Sequence, residues 1–313
     1  MHRHNIPTAA YQTFTAAEPA HQYIDQQKFP IVIKADGLAA GKGVIIAENA
    51  KEAHAAIDDM LNEQRFGDAS QQIVIEEFLI GEEVSFIVMV DGAHVLPLAT
   101  SQDHKRRDNQ DKGPNTGGMG AYSPAPIVKD ALFKTIMDTV IYPTVQAMAA
   151  EGHPYTGFLY AGLMITPEGI PKVLEFNCRL GDPETQPLLF RLKSDLVELC
   201  LSALSGTLDK QPIVWDAEPA LGVVMAAGGY PDSYKMGDLI TGLEIADSAD
   251  CKVFHAGTQL LDNKVVTHGG RVLCVTAKGT TIQKAQERAY ERVRQINWPG
   301  TFYRTDIGYR AIT

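Results

Sequence analysis

IVIKADGLAAGKGVIIA, residues 31–47, sets two short apolar runs on either side of a glycine-rich centre. The runs IVIKAD (31–36) and GKGVIIA (41–47) predict two strands only a few residues apart. Gly37, Gly41 and Gly43 permit close backbone approach and positive φ, while Lys34 and Lys42 supply charge, the combination a phosphate cradle needs. The stretch is not a Walker A loop. That motif has four residues between its glycines and ends in Lys-Ser/Thr. Here three residues separate Gly37 from Gly41, Gly43 stands where the hydroxyl should be, and a strand follows instead of a helix. Two readings stay open: a hairpin folding over a triphosphate, or a flexible surface hairpin with two solvated lysines.

Two further stretches carry candidate chemistry. In VIEEFLIGEEVS (74–85) a strand end, a short apolar connector and a second acidic pair follow one another. The connector's backbone could pair with an adenine edge and Glu83 could accept from ribose hydroxyls; the alternative is an exposed acidic turn. In KVLEFNCRLGDPETQ (172–186), strand alternation predicts that Glu175, Asn177 and Arg179 project together while Leu174, Phe176 and Cys178 point to the buried side. A carboxylate and an amide oxygen on one face are hard ligands suited to Mg²⁺. Arg179 beside them could stabilise a transferring phosphoryl group. A plain edge strand with a polar face is the competing reading.

Working outward, Thr15-x-x-Glu18 predicts a capped helix running to about Lys28, and Asn49-x-x-Glu52 predicts a second. Strands are expected at 72–78 and 84–90, with Asp91-Gly92 turning the latter into HVLPLA. Residues 101–126 form a polar, Gly/Pro-rich run without periodicity, expected as a long functional loop. A helix over 129–150, kinked or split at Pro143, precedes strands GFLYAGLMI and KVLEFN, then helices near 184–191 and 194–205. Residues 208–219 are the linker candidate. Beyond them strands near 221–228, 251–258 and 271–277 and a helix over 282–296 predict a smaller α+β unit.

The chain has 313 residues, suggesting about two domains at roughly 100–200 residues each. A net charge of −10 argues against a duplex-DNA binder. The longest apolar stretch, around Leu221–Ala227, falls far short of the ~20 residues of a membrane helix. Cysteines at 178, 200, 251 and 274 show neither C-x-x-C spacing nor disulfide density, and the first residues lack the apolar core of a signal peptide. A soluble cytoplasmic protein, with no nucleic-acid or membrane partner, is expected. None of the histidines pairs with cysteine at zinc-like spacing, and neither G-x-S-x-G nor G-x-G-x-x-G occurs.

Taken together, the glycine-rich strand–loop–strand, the acidic connector and the E-x-N strand resemble an ATP-grasp enzyme. More narrowly, KADGLAAGKGV, EEFLIGEEVSF, ATSQDHKR, GPNTGGMGAYSP and EFNCRLGDPETQ resemble the glycinamide ribonucleotide synthetases (phosphoribosylamine–glycine ligases), from about Ile6 to Ile312. The resemblance implies an α+β ATP-grasp fold, two α+β subdomains gripping ATP, followed by a smaller C-terminal α+β domain. On that expectation residues 1–212 form the ATP-grasp domain, with a lid subdomain at about 12–78, and 218–313 form the C-terminal domain. It implies that glycine's carboxylate attacks the γ-phosphoryl group of ATP, and that 5-phosphoribosylamine then displaces phosphate from glycyl phosphate.

Carried over residue by residue, Lys34 would reach the phosphates, with Ala39, Ala40, Gly41, Lys42 and Gly43 as the lid. Glu76, Glu77, Phe78 and Leu79 would edge the adenine and Glu83 would hold the ribose. Glu175 and Asn177 match the family's ligands for Mg²⁺ or Mn²⁺, with Arg179 on the transferring group. Asp103, His104 and Lys105, with Asn115, Thr116, Gly117, Gly118 and Gly120, lie in segments resembling the substrate loops; Asp182 and Glu184 are candidates for glycine's ammonium. Two departures stand out. The preceding strand, GFLYAGLM, offers no second metal-binding Glu. The family also begins with a domain of about 100 residues that this sequence does not show, so a chain active only with that domain, or one self-associating through the surface it would leave exposed, is the alternative expectation.

Overall fold

Ile31, Ile33, Ile73 and Ile75 are all at most 3% exposed, and their period-two spacing explains the first layer of the molecule. The structure, a computed structural model, describes residues 1–37 and 43–312. It divides into two compact units: Met1–Glu82 with Met164–Leu174, and Glu83–Leu163 with Glu175 onward.

The first unit contains β1 (Tyr11–Phe14), α1 (Ala17–Ile24), β2 (Ile31–Ala35), β3 (Val44–Ala47), α2 (Ala50–Ile57) and β4 (Ile73–Glu77). The strands form one antiparallel sheet in the order β1-β4-β2-β3. The four isoleucines pack with Ala20 and Ile24 of α1 and Ala53, Ala56 and Ile57 of α2 in a common core. Helix α2 starts as its capping box predicts: Asn49 Oδ1 accepts from Glu52 N at 3.0 Å, and Glu52 Oε2 accepts from Glu48 N at 3.0 Å. The box expected at Thr15 does not form. Helix α1 begins after Ala16 without a side-chain cap and ends at Ile24, short of Lys28.

The second unit begins with β5 (Glu82–Asp91), β6 (Val95–Pro97), β7 (Gln102–Asp103), β8 (Arg106–Asp108), β9 (Lys112–Asn115) and β10 (Gly120–Ser123). Next come α3 (Asp130–Ile136), α4 (Tyr142–Ala150), β11 (Thr156–Ile165) and β12 (Pro171–Asn177), of which residues 164–165 and 171–174 count with the first unit, then α5 (Thr185–Leu189) and α6 (Leu196–Leu204). It closes with β13 (Ala220–Ala226), β14 (Cys251–His255), β15 (Thr258–Leu261), β16 (Lys264–Thr267), β17 (Arg271–Lys278) and α7 (Ile282–Val293). One sheet runs β12-β11-β5-β6 and another β14-β17-β13-β10-β7.

The expectation of an irregular loop over 101–126 is overturned. This stretch supplies β7 and β10 to the five-stranded sheet, with Gly120 opposite Val223 and Tyr122 opposite Leu221, and forms the separate hairpin β8–β9. Its partner strand lies about a hundred residues away, so no local periodicity announces the pairing. Pro143 does not split its helix either. A π-helical turn over Met137–Ile141 joins α3 to α4, and such a widened turn relieves the clash of a proline ring with the carbonyl four residues earlier. Residues 208–219 are packed: Leu208 is 1% exposed, and Asp216 pairs with Lys278 at 2.9 Å. The hairpin β15–β16 was unforeseen; Asp262 and Asn263 both take positive φ, the requirement of its two-residue turn. Helix α7 is capped by Thr281 and lays Ile282, Ala285, Ala289 and Val293 into the core beneath β13 and β17.

The Asp91-Gly92 turn forms as expected, and Asp91 does more than turn the chain. Its buried carboxylate accepts from the backbone of Ala93 (3.0 Å), His94 (2.7 Å) and Leu208 (3.1 Å). Burial alone would raise its pKa, but these N–H groups overcome it and hold the carboxyl at about 2. The folded value lies below the unfolded one, so its stabilisation is complete above the ordinary carboxyl range and is lost as pH falls toward 2. Asp91→Asn is therefore expected to cost about 2 kcal/mol at pH 7. In urea titrations the gap from wild type should narrow steadily below pH 4; a constant gap would contradict this account.

Candidate functional site

In the first unit, alternation places Lys34 and Glu76 on the sheet face opposite the helices, where Lys34 Nζ lies 2.6 Å from Glu76 Oε2. The two are diagonal neighbours, since β2 pairs with β4 through Val32 opposite Glu76 and Lys34 opposite Val74. Ala35 N donates to Gly43 O at 2.8 Å, closing the glycine-rich connection at its base. Ala39, Ala40, Gly41 and Lys42 lie outside the described residues. Gly37 is needed for packing: a Cβ there would sit 2.7 Å from Ala69.

After β4, Glu77 turns sideways to accept from Lys172 Nζ at 2.6 Å and from Ala10 N at 3.0 Å. The bond from Lys172 is the chief reason its pKa is lowered. Leu79 is buried with Ala9 and Met164, whereas Phe78 and Ile80 are exposed at 37% and 70%. The connector therefore presents backbone and two apolar side chains to solvent.

The second unit holds a denser cluster. Lys105 Nζ stands 3.4 Å from Asp103 Oδ2 and 3.7 Å from Glu83 Oε2. Asp103, with smaller contributions from Tyr160, Glu83 and Glu184, holds the ammonium well above its usual range despite its enclosure. Enclosure pushes Glu83 the other way, raising its carboxyl pKa, with Asp103 and Glu175 adding repulsion and Lys105 opposing. Behind them Glu184, 2% exposed, accepts from Ser85 Oγ at 2.7 Å and Tyr160 OH at 3.0 Å. Burial raises its carboxyl pKa, reinforced by Asp103. The carboxyl folds back over Gly181, where a Cβ would lie 2.5 Å from Glu184 Oε2.

Glu175 and Asn177 follow the alternation of β12 and share one face. A Cβ at Gly162 on the neighbouring strand would lie 3.2 Å from Glu175 Cγ, so the glycine leaves room for the carboxylate. Neither Glu175 nor Asn177 makes a side-chain hydrogen bond or ion pair among the described residues. Among those residues no group of three His, Cys, Asp or Glu side chains is arranged for a metal. The fit rests on the donor set: two hard oxygens without protein partners, and a third carboxylate, Glu83, close enough to feel Glu175's charge. The alternation stops there. Strand β12 ends at Asn177, so Cys178 is exposed, contrary to expectation, and Arg179 is also exposed, donating to Leu180 O at 2.8 Å.

The remaining candidates separate into exposed and structural groups. His104 is completely buried, and its Nε2 accepts from Gly308 N at 2.9 Å. Burial lowers its pKa, so the ring braces the chain as a neutral group. Asn115 is exposed, and Thr116 Oγ1 bridges Lys105 O and Gly118 N. A Cβ at Gly120 would lie 2.6 Å from Gly222 O. Asp182 Oδ2 accepts from Arg271 Nη2 at 2.8 Å. Sequence reasoning missed Ser85, Tyr160 and Arg271. Ser85 and Tyr160 were detectable as polar groups inside apolar strands, but Arg271 carried no local signal.

The profile described as phosphoribosylglycinamide synthetase, ATP-grasp (A) domain, matches residues 1–185, and that of the C domain matches residues 220–310. The phosphoribosylamine–glycine ligase of Escherichia coli O6:H1 is 64% identical over 311 residues, covering 99% of this chain and 72% of that protein. The crystal structure of the Thermotoga maritima phosphoribosylamine–glycine ligase superposes with a TM-score of 0.90 at 36% identity, covering 98% of this chain and 76% of that one. The biotin carboxylase domain of Hydrogenobacter thermophilus 2-oxoglutarate carboxylase shares the fold, with a TM-score of 0.73 at 15% identity, covering 96% of this chain and 64% of that one.

The raised pKa of Glu184 has a definite sign in stability. The folded chain keeps this proton to higher pH than the unfolded chain, so ionising the buried carboxyl costs stability as pH rises through the folded pKa. Glu184→Gln keeps an oxygen for Ser85 and Tyr160 and removes that cost. In denaturation between pH 4.5 and 8 the variant should gain on wild type as pH rises; parallel curves would refute the assignment.

Proposed function

The chain belongs to the phosphoribosylglycinamide synthetase family, matched over residues 1–185 and 220–310, and on that premise we propose that it joins glycine to 5-phosphoribosylamine at the expense of ATP, a step of purine biosynthesis carried out in the cytoplasm. Among the described residues no helix is long and apolar enough to cross a membrane. A glycine carboxylate oxygen attacks the γ-phosphorus, the bond to the β-phosphate oxygen breaks, and ADP leaves glycyl phosphate. The amine nitrogen of phosphoribosylamine then attacks the acyl carbon, loses a proton and expels phosphate, giving glycinamide ribonucleotide.

The observation that carries this reading is the carboxylate–amide face of Glu175 and Asn177, without side-chain hydrogen-bond or ion-pair partners among the described residues, with Glu175's charge felt at Glu83. Phosphoryl transfer needs positioning and charge neutralisation more than a protein nucleophile. Glu175 and Asn177 would hold a Mg²⁺ or Mn²⁺ ion. When bound, that ion supplies neutralisation of phosphate oxygens. Lys34, on the sheet face opposite the helices, would bind phosphate in place of Glu76, and Arg179, which is exposed, would meet the transferring group. The connector from Glu76 to Leu79, exposed at Phe78, suits an adenine ring, and Glu83 the ribose hydroxyls. Ala39 to Gly43 would form the lid that shields the acyl phosphate from water.

For the other substrates, Lys105 with Asp103, and the segment Asn115–Gly118 with Gly120, would line the acceptor side. His104 would contribute through the backbone it braces. Asp182 and Glu184 would set the charge felt by glycine's ammonium. The division into a domain over 1–212 and another over 218–313 is retained as part of this proposal.

The test is product formation. ADP and glycinamide ribonucleotide should appear only when ATP, glycine and phosphoribosylamine are all present; ATP hydrolysis indifferent to the other two would count against the reading. Glu175→Ala and Asn177→Ala should each lower kcat by about 100-fold or more. Rates like wild type at limiting Mg²⁺ would refute the metal assignment. Lys34→Ala should weaken ATP binding about tenfold by calorimetry, since a charge-assisted bond is worth about 1.5–3 kcal/mol. Unchanged affinity with a large fall in Tm would show a structural role instead.

A further inference from the structure

Arg271 is the first residue of β17 and sits where that strand's register with β13 shifts: Met225 faces Leu273, but Ala226 faces Arg271. A bulge of this kind re-aims a side chain out of the regular pleat. The guanidinium reaches two segments distant in sequence. Its Nη1 donates to Gly117 O at 2.6 Å and Asp182 O at 3.0 Å, and its Nη2 donates to Asp182 Oδ2 at 2.8 Å. A second group grips the same glycine, because Gly117 N donates to Tyr230 OH at 2.9 Å. That ring lies over Gly270, where a Cβ would come within 2.3 Å of it.

The glycines at 117 and 118 are shaped to this grip. A Cβ at Gly117 would lie 2.8 Å from Arg271 Cζ, and one at Gly118, whose φ is +112°, would lie 2.3 Å from Pro183 Cδ. They are there for close packing against Arg271 and the Asp182–Pro183 turn, not for mobility. Asp182 follows the strand carrying Glu175 and Asn177, and Gly117–Gly118 close the hairpin that begins just after Lys105. One side chain thus ties the turn beyond the metal-binding strand to the acceptor-side loop.

We propose that Arg271 is a positioning residue for the ligation, and that its planar fork, more than its charge, sets the relative placement of Gly117–Gly118 and Asp182. The inference rests on the function proposed above. Lysine keeps the charge but cannot bridge both segments in one plane.

The experiment compares wild type, Arg271→Lys, Arg271→Ala and Tyr230→Phe, with kcat and KM for each substrate, Tm, and hydrogen exchange of the 115–120 amides. Arg271→Lys is expected to keep its Tm within a few degrees and its KM for ATP within twofold, while kcat falls at least tenfold. Exchange at Gly117 and Gly118 should accelerate. Low millimolar guanidinium should restore part of the activity of Arg271→Ala. Tyr230→Phe, which removes only a hydroxyl, should produce a smaller loss of the same kind. Wild-type kinetics in Arg271→Lys, or a loss confined to ATP binding, overturns the proposal. If wild type makes no product, the functional reading fails, and the exchange measurement still decides the tie: unchanged protection at Gly117 and Gly118 in both Arg271 variants overturns it, and faster exchange upholds it.

Discussion

The antiparallel pairing of Gly120–Ser123 with Ala220–Val223 is the constraint on which the second unit depends. It converts a charged, glycine-rich stretch into two strands of a sheet whose other members lie about a hundred residues further on. Tyr122 becomes fully buried between Met119 and Leu221, and the polar residues at 101–104 are drawn inside with it. Without that pairing the hydrogen-bonding groups of Gln102 and Asp103 would have water as their partners, and Lys105 would have no fixed place beside Asp103. The loop's charges are held where they are because its backbone is part of a sheet.

Burying those charges together has electrostatic consequences. Asp103 and Glu83 flank Lys105 and stabilise its ammonium, while burial pushes the carboxyls of Glu83 and Glu184 upward. The low-dielectric surroundings favour the uncharged form of a carboxyl unless an opposite charge stands beside it, as Lys105 stands beside Asp103. By contrast, the chain around Asp111 is locked. Arg304, completely buried, and Arg310 both pair with that carboxylate, which His104, Tyr309 and the two arginines hold far below the usual range against the opposing effect of burial.

Several elements were legible in the residues alone. The isoleucines of β2 and β4 alternate, so their burial and the outward aim of Lys34 followed from period two. Asn49 and Asp91 announced a cap and a turn by local hydrogen bonding, and both formed. The shared face of Glu175 and Asn177 came from the same alternation. Failures cluster where local rules compete with distant partners. Thr15 satisfied the capping pattern, yet the helix starts at Ala17 without it. Cys178 and Arg179 were assigned faces by extending a strand that ends at Asn177.

By itself, then, the sequence determined the shared face of Glu175 and Asn177, the glycine-rich connection and the family to which they belong, because each depends on residues within a few positions of one another. Tertiary structure alone decided that residues 101–126 supply strands to the five-stranded sheet, that Glu184 is buried beneath Ser85 and Tyr160, and that Arg271 grips Gly117 across 154 positions. Those outcomes arise from contacts between distant segments, whose energies appear only when the chain has closed and desolvated the groups that meet.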